Sequence, residues 1–183
     1  MTNALDSSGL ASEQLKLEIT ESVILDESEK TAETIHRLHD LGVSFAIDDF
    51  GTGYSSLSSL RQYPFETLKI DRSFVAGVTT SSDAANLVRS IVAIARSMNL
   101  AVVAEGVETA DQRQFVTTAG CDMVQGWFHG KAVPADRFAD LLRASDRDGV
   151  GPMTTAGGPP PSAQPPAAAK WQAPAKRPAS PTR

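Results

Sequence analysis

The stretch FAIDDFGTGYSS, residues 45–56, decides the fold of this chain. A short apolar run from Val43 to Ile47 leads into two adjacent carboxylates, Asp48 and Asp49, and then into a loop with two glycines. Adjacent strand residues point to opposite faces of a sheet, so the two carboxylates should diverge unless the chain turns there. A strand that ends in acids and opens into a glycine loop is typical of the rim of a parallel sheet, where metal and phosphate sites occur. An ordinary surface turn uses the same residue types, so the surrounding chain must distinguish the two.

The surrounding chain alternates between strand and helix patterns. LKLEIT, residues 15–20, places its apolar residues on one face, which predicts a strand. Thr109 and Gln112 form a capping box that predicts the start of a helix. The alternation calls for a parallel sheet with right-handed crossovers. The predicted strands are 15–20, 43–47, 67–70, 100–104 and 123–124, and the predicted helices are 1–10, 28–41, 55–61, 82–98, 109–119 and 134–142.

A polar residue stands at or near the carboxyl end of every predicted strand. Each of these polar residues taken singly can have a purely structural role. Glu18 fits a charged residue at the rim of the sheet, and Lys69 fits a lysine whose amine extends to solvent. Five such residues from one end of a parallel sheet favour the functional face of a (β/α) barrel. An eightfold barrel needs about 250 residues, so we predict an α/β fold, an incomplete TIM-type barrel of about five βα units. The five polar residues are Glu18, Asp48, Lys69, Glu105 and Gln125.

Charge is distributed unevenly along the 183 residues. No acid follows Asp148, whereas four basic residues do, so residues 1–148 hold 13 basic and 22 acidic groups, a net charge of -9. That balance argues against nucleic-acid binding, and an acidic domain that handles phosphates needs metal cations. Nine of the eleven prolines lie between 152 and 181. We therefore predict a domain at 1–148 and a disordered tail at 149–183, with Trp171 as an incidental residue unless it serves a short motif.

The cysteine content and the distribution of apolar residues indicate where in the cell the protein is located. Cys121 is the single cysteine, which excludes a disulfide framework and predicts a small core residue. No apolar run reaches the length of a membrane span, and the N-terminus lacks the features of a signal peptide. We therefore expect a cytoplasmic protein without a membrane segment.

Five motifs in order resemble the EAL domain, the cyclic-di-GMP phosphodiesterase family of bacteria. They are LEITES (17–22), DDFGTGYSSL (48–57), LKIDRSFV (68–75), VAEGVET (103–109) and QGWFHGK (125–131). The resemblance implies a barrel with two divalent cations, Mg²⁺ or Mn²⁺, at the strand carboxyl ends. It implies metal ligation by Glu18, Asp48 and Asp49, and it makes Glu105 a second-metal ligand or general base.

The resemblance also assigns roles to three other residues. It places Lys69 beside the attacking water and phosphate, and Gln125 near that water. It makes Glu21 the support of the loop 50–56, which in the family helps to order the metal site and a homodimer interface. The implied reaction is hydrolysis of cyclic-di-GMP to linear pGpG.

The chain departs from the family pattern in two respects. The Glu-Ala-Leu motif and a ligand asparagine, which belong to earlier strands in the family, do not occur in the sequence. Trp127, His129 and Ala132 replace the usual tyrosine, phenylalanine and proline of the last motif. We therefore expect no detectable turnover from the chain alone. Two alternatives stay open: a non-catalytic binding or protein-interaction module, and a chain that does not fold by itself.

Overall fold

A computed structural model describes residues 2–25, 29–53 and 60–147. Five parallel strands form one sheet in the sequential order β1-β2-β3-β4-β5. A doubly wound sheet would reverse its strand order part-way, whereas a barrel wall keeps the order of the chain. The predicted incomplete TIM-type arrangement of five βα units is therefore confirmed. The strands are β1 (Lys16–Thr20), β2 (Ser44–Phe50), β3 (Thr67–Ile70), β4 (Ala101–Ala104) and β5 (Met123–Val124).

Helices pack against one face of this sheet. Val88, Ile91 and Ala95 recur at helical spacing and are buried against the apolar residues of the strands. A 3₁₀ turn at Ser12–Gln14 precedes β1. The α-helices are α1 (Thr2–Ser8), α2 (Glu21–Leu25), α3 (Glu29–Asp40), α4 (Arg72–Ala76), α5 (Ser82–Ser97), α6 (Ala110–Ala119) and α7 (Ala135–Arg147).

Local capping signals set the boundaries of α6 as the sequence predicts. The Thr109 side chain accepts a hydrogen bond from the Gln112 amide, and the Gln112 side-chain oxygen accepts one from the Thr109 amide. Gly120 ends the helix at φ 100°, a left-handed conformation that glycine adopts without steric cost. Cys121 follows in the core and is 6% exposed, as expected for a small apolar residue.

Most predicted boundaries agree with the structure to within two residues, and two differ by more. β2 does not stop at Ile47 but continues through both aspartates to Phe50, because a bulge accommodates them. α7 continues to Arg147, beyond the predicted end at Leu142. The predicted helix at 55–61 falls almost wholly outside the described residues, and so does the predicted tail at 149–183. No helix in the described ranges is long and apolar enough to cross a membrane.

The other face of the sheet carries polar side chains on β1 to β3, and these lead to the site. Lys16 Nζ donates to Thr67 Oγ1 at 2.8 Å across two strands. Lys69, two residues further along β3, contacts Glu18 of β1 in the same direction. Side chains two residues apart on a strand share a face. The polar residues of β1 to β3 therefore form rows that lead to the carboxyl edge of the sheet.

Candidate metal and phosphate site

A bulge brings the two adjacent aspartates to one place. Ile47 is opposite Leu68, but Phe50 is opposite Ile70, so β2 carries one more residue than β3 over this interval. Asp49 takes φ 53°, a left-handed conformation that is uncommon outside glycine. The chain therefore turns between Asp48 and Asp49, and the simple alternation that would separate them does not apply.

Three carboxylates converge at this edge. Oxygen atoms of Asp48, Asp49 and Glu105 all lie within 4.8 Å of one another, and all three residues are half-buried. Glu105 follows β4 directly, and its amide donates to the Ile70 carbonyl. Carboxylate oxygens are the ligands that Mg²⁺ and Mn²⁺ prefer, so this group has the donor chemistry of a divalent-cation site.

Lys69 lies among the carboxylates. Its Nζ is 2.6 Å from Glu18 Oε2, 2.8 Å from Asp48 Oδ1 and 2.6 Å from Glu105 Oε1, and its side chain is 7% exposed. Burial by itself lowers the pKa of this ammonium, but hydrogen bonds to the three carboxylates outweigh burial and hold the pKa above its ordinary value. Lys69 is therefore a fixed buried cation, which excludes the interpretation as a lysine that reaches solvent.

Negative charge is concentrated around Asp49. Burial, followed by the charges of Asp48 and Asp71, raises the pKa of Asp49 above its ordinary value. Burial also acts to raise the pKa of Asp71, but hydrogen bonds from the Ser73 side chain and backbone outweigh it and lower that pKa. Asp71 thus stays ionised beside an aspartate that is costly to ionise, and a cation at this place would relieve the repulsion.

Sequence reasoning did not include Asp71 in the site. It caps α4, where its carboxylate accepts a hydrogen bond from the Ser73 amide at 3.0 Å. An Asp followed two residues later by Ser is also an ordinary helix start, so the pattern alone does not reveal its second role. The sequence feature that could have placed Asp71 in the site was its position one residue after β3.

Glu18 and Gln125 occupy the margins of the site. Glu18 contacts Lys69, which in turn contacts Asp48 and Glu105, and the Glu18 side chain is about half exposed. Gln125 lines a cleft of about 890 Å³ together with Glu105 and Arg72. Its backbone accepts from the Val107 amide and donates to the Ala104 carbonyl. All six residues that the sequence proposed for the site thus lie at one edge of the sheet.

Glu21 fixes the start of the glycine loop. The first residue of α2 is 4% exposed, and its Oε2 accepts hydrogen bonds from the amides of Gly51 at 3.1 Å and Gly53 at 3.0 Å. The carboxylate therefore holds the segment that follows Asp49 against the sheet. The rest of the loop, residues 54–56, lies outside the described residues.

Replacing Glu21 with alanine is expected to lower the free energy of unfolding by about 2–3 kcal/mol, because two backbone amides lose a buried charged acceptor. Glu21→Gln keeps an acceptor oxygen and should cost less. Urea unfolding measures both, with Glu33→Ala on the exposed side of α3 as the control; that change should stay within about 0.5 kcal/mol of the wild type. Equal losses for Glu21→Ala and Glu33→Ala would contradict the supporting role.

The sequence of the chain is similar to proteins of one bacterial family. A family model described as the EAL domain matches residues 1–132. The cyclic di-GMP phosphodiesterase NbdA of Pseudomonas aeruginosa is 41% identical over 151 residues, which is 82% of this chain and 19% of that protein. The first curated relatives are matched over only 17–19% of their own length.

Solved structures agree with the sequence comparison. The EAL domain of Mycobacterium smegmatis DcpA has a TM-score of 0.73 at 42% identity, covering 78% of this chain and 64% of that chain. The manganese and cyclic-di-GMP complex of Klebsiella pneumoniae BlrP1 has a TM-score of 0.64 at 31% identity, covering 68% of this chain and 32% of that chain. The fold, the five motifs and the family match lead to one assignment: the chain belongs to the EAL domain family.

Proposed function

We propose that this chain carries part of the divalent-cation and phosphate site that hydrolyses cyclic-di-GMP to pGpG in the EAL domain family, and that the chain alone is inactive. The observation that carries the proposal is the convergence of Asp48, Asp49 and Glu105 beside the buried cation Lys69. The name of NbdA, a cyclic di-GMP phosphodiesterase, and the BlrP1 complex with manganese and cyclic-di-GMP support it.

The donor set fits a divalent cation. Asp48, Asp49 and Glu105 offer hard oxygen ligands, and the charges of Asp48 and Asp71 oppose the ionisation of Asp49. Glu18 is the further ligand that the family pattern suggests. When bound, Mg²⁺ or Mn²⁺ supplies an activated water and neutralises charge on the phosphate. Neither ion is favoured over the other by these residues, and we propose that either can bind.

Lys69 and Gln125 complete the proposed site. Three carboxylates engage the three N–H donors of Lys69, so its ammonium can bind a phosphate oxygen once one of these contacts is released. Gln125 lines the cleft next to Glu105, where its amide can orient a water. Glu105 contacts Lys69 and can accept a proton from that water once the contact loosens.

Manganese binding tests the proposal directly. We expect the chain to bind Mn²⁺, and Asp49→Asn to weaken that binding at least about 100-fold, because it removes a charged ligand. Calorimetry measures both affinities. Asp111→Asn is the control, since this acid lies on the exposed face of α6. Unchanged Mn²⁺ affinity in Asp49→Asn would exclude the carboxylate group as the metal site.

Separating cyclic-di-GMP from pGpG after incubation with Mn²⁺ tests turnover. We expect no product from the 183-residue chain, because the family's Glu-Ala-Leu glutamate and its ligand asparagine do not occur in it. Product that disappears in Asp48→Asn would show that the chain is itself an enzyme. Binding of cyclic-di-GMP without hydrolysis would instead favour the non-catalytic module.

The proposal extends to location and assembly. We propose a cytoplasmic protein whose partners are cyclic-di-GMP and a second copy of the chain, rather than nucleic acid. The dimer would form through the loop after Asp49, whose start is fixed by the hydrogen bonds of Gly51 and Gly53 to Glu21. We also propose the division into a domain at 1–148 and a tail at 149–183.

A further inference from the structure

Asp122 stands immediately before β5 and binds the backbone of β4 through two hydrogen bonds. Its amide donates to the Val102 carbonyl at 2.9 Å, and its Oδ2 accepts from the Val102 amide at 2.8 Å. β5 has not yet begun at this residue, so the carboxylate takes the place that a strand carbonyl would have. Val102 is fully buried, and a buried amide needs an acceptor. We call this pair of hydrogen bonds the register contact.

Arg96, near the end of α5, fixes the direction of the Asp122 carboxylate. Its Nη2 donates to Asp122 Oδ1 and to the Gly120 carbonyl, both at 2.8 Å. Hydrogen bonds between a guanidinium and a carboxylate are stronger than those between neutral groups. Arg96 therefore ties the end of α6, at Gly120, to the residue that starts β5, and each oxygen of the Asp122 carboxylate has its own donor.

β5 is too short to fix its own register. It contains only Met123 and Val124, and Met123 is opposite Val103 of β4. Continuing this register by two residues places Gln125 opposite Glu105. A slip by one residue would turn the Gln125 side chain to the other face of the sheet, because successive strand residues point to opposite faces. The position of Gln125 thus depends on a contact outside the strand itself.

The residue type at 122 selects one register. A slip of one residue in either direction would bring Cys121 or Met123 to the place of Asp122. Sulfur is a weak hydrogen-bond acceptor, so neither side chain replaces a carboxylate oxygen. The Val102 amide would then be buried without a good acceptor, which disfavours both slipped registers.

We propose that Asp122, oriented by Arg96, is a positioning residue that fixes the register of β5 and thereby holds Gln125 beside Glu105. Asp122 acts through the strand, since it stands three residues before Gln125 at the other end of β5. Its importance for the reaction rests on the proposed function, in which Gln125 orients a water. The register contact itself is a property of the fold and can be tested without a reaction.

Amide hydrogen exchange of the metal-free full chain, measured by NMR, tests the register contact. The reporters are the amides of Gln125, which donates to β4, and Val107, which donates to the Gln125 carbonyl. The reference is the Glu105 amide, which donates to β3 on the other side of β4. We expect Asp122→Ala to raise exchange of the reporters at least about tenfold relative to the reference. An equal increase at reporters and reference would overturn the proposal, because Asp122 would then support only overall stability.

Asp122→Asn is the conservative variant. The asparagine keeps an oxygen that can accept from the Val102 amide, so the ratio of reporter to reference exchange should stay within about threefold of the wild type. A change as large as that of Asp122→Ala would overturn the proposal, because the acceptor would not be the feature that matters. Asp111→Ala, in the exposed first turn of α6, is the control and should leave the ratio unchanged.

Arg96→Met tests the guanidinium in a variant that should fold, since the Arg96 side chain is 46% exposed. We expect the exchange ratio to rise about threefold, because the Asp122 carboxylate keeps the register contact but loses the donor that orients it. Arg89→Met changes an arginine of the same helix that contacts Asn86 and Phe115 instead, and it should leave the ratio unchanged. An unchanged ratio in Arg96→Met would overturn the proposal even where Asp122→Ala does not fold.

Manganese calorimetry keeps this test separate from that of the proposed function. Arg96→Met should bind Mn²⁺ with the affinity of the wild type, because the carboxylates of Asp48, Asp49 and Glu105 take no part in the register contact. A wild type that does not bind Mn²⁺ would contradict the proposed function, while the exchange ratio would still decide the role of Asp122.

Discussion

Lys69→Met is expected to lower the free energy of unfolding of the metal-free chain by about 2–4 kcal/mol. The substitution keeps most of the side-chain volume but removes the cation that contacts Glu18, Asp48 and Glu105. Three carboxylates would then be grouped without a counter-charge, next to Asp49. Urea unfolding in the presence of a chelator measures the loss.

The sign of the pH dependence follows from the raised pKa of Lys69. The folded state holds this proton more tightly than the unfolded chain does, so the stabilisation is fully present below the ordinary lysine pKa. It is lost only as the pH rises through the higher, folded-state value. The difference between wild type and Lys69→Met should therefore be constant across the neutral range.

Manganese should recover part of the stability that Lys69→Met loses. A divalent cation that binds the folded carboxylate group and not the unfolded chain would stabilise the fold by mass action. In the wild type, Lys69 competes for Asp48 and Glu105, and the gain from Mn²⁺ should be smaller. A larger gain in unfolding free energy from Mn²⁺ in Lys69→Met than in the wild type would show that the variant lost charge balance. A loss of packing alone would not produce that difference.

Lys16→Met is the matched control. Lys16 lies on the same face of the sheet, and its Nζ donates to the hydroxyl of Thr67 rather than to a carboxylate. We expect this change to cost less than about 1 kcal/mol and to show no additional gain from Mn²⁺. Similar losses in both variants would show that Lys69 does not balance the carboxylate charge.

The fold was predictable from the sequence because its signals are local. The alternation of LKLEIT, the periodicity of α5 and the capping box at Thr109 each determine an element within a few residues. Five such elements in strand–helix order leave few topologies other than a parallel sheet with right-handed crossovers. The sequential strand order then followed.

The geometry of the site was less predictable from the sequence than the fold was. The sequence DDF does not distinguish a strand that ends from a strand that contains a bulge, because the bulge depends on the register of β2 relative to β3. Burial of Lys69 likewise depends on side chains 51 residues away at Glu18 and 21 residues away at Asp48. Contacts between residues so far apart in the sequence form only in the assembled sheet. The predicted strand ends therefore indicated which residues lie near one another, but not which hydrogen bonds and ion pairs they make.

Gly126→Ala is expected to lower the free energy of unfolding by about 3 kcal/mol or more. A Cβ at this position would lie 2.2 Å from the carbonyl oxygen and 2.4 Å from the amide nitrogen of Val107. The obstacle is backbone rather than a flexible side chain. Val107 is fully buried, and its amide and carbonyl bond to Gln125 and Phe128, so it has little freedom to move away.

Gly130→Ala separates this clash from backbone strain. Gly130 stands four residues later with φ 149°, close to the 156° of Gly126, but a Cβ there meets nothing within 4 Å. We expect a loss of about 1 kcal/mol, which is the cost of an unfavourable φ alone. Urea unfolding of both variants gives the difference, and equal losses would show that Val107 yields to the new methyl group.

The same comparison tests how Gln125 is positioned. Gln125 precedes Gly126, and its carbonyl accepts from the Val107 amide, so the close approach of residue 126 to Val107 sets where Gln125 stands beside Glu105. If Val107 does not yield, Gly126→Ala moves residue 126 and with it the Gln125 backbone relative to the end of β4. A side chain smaller than alanine is therefore required at 126 to keep the strand ends of β4 and β5 at their present separation, and glycine is the residue that meets this requirement.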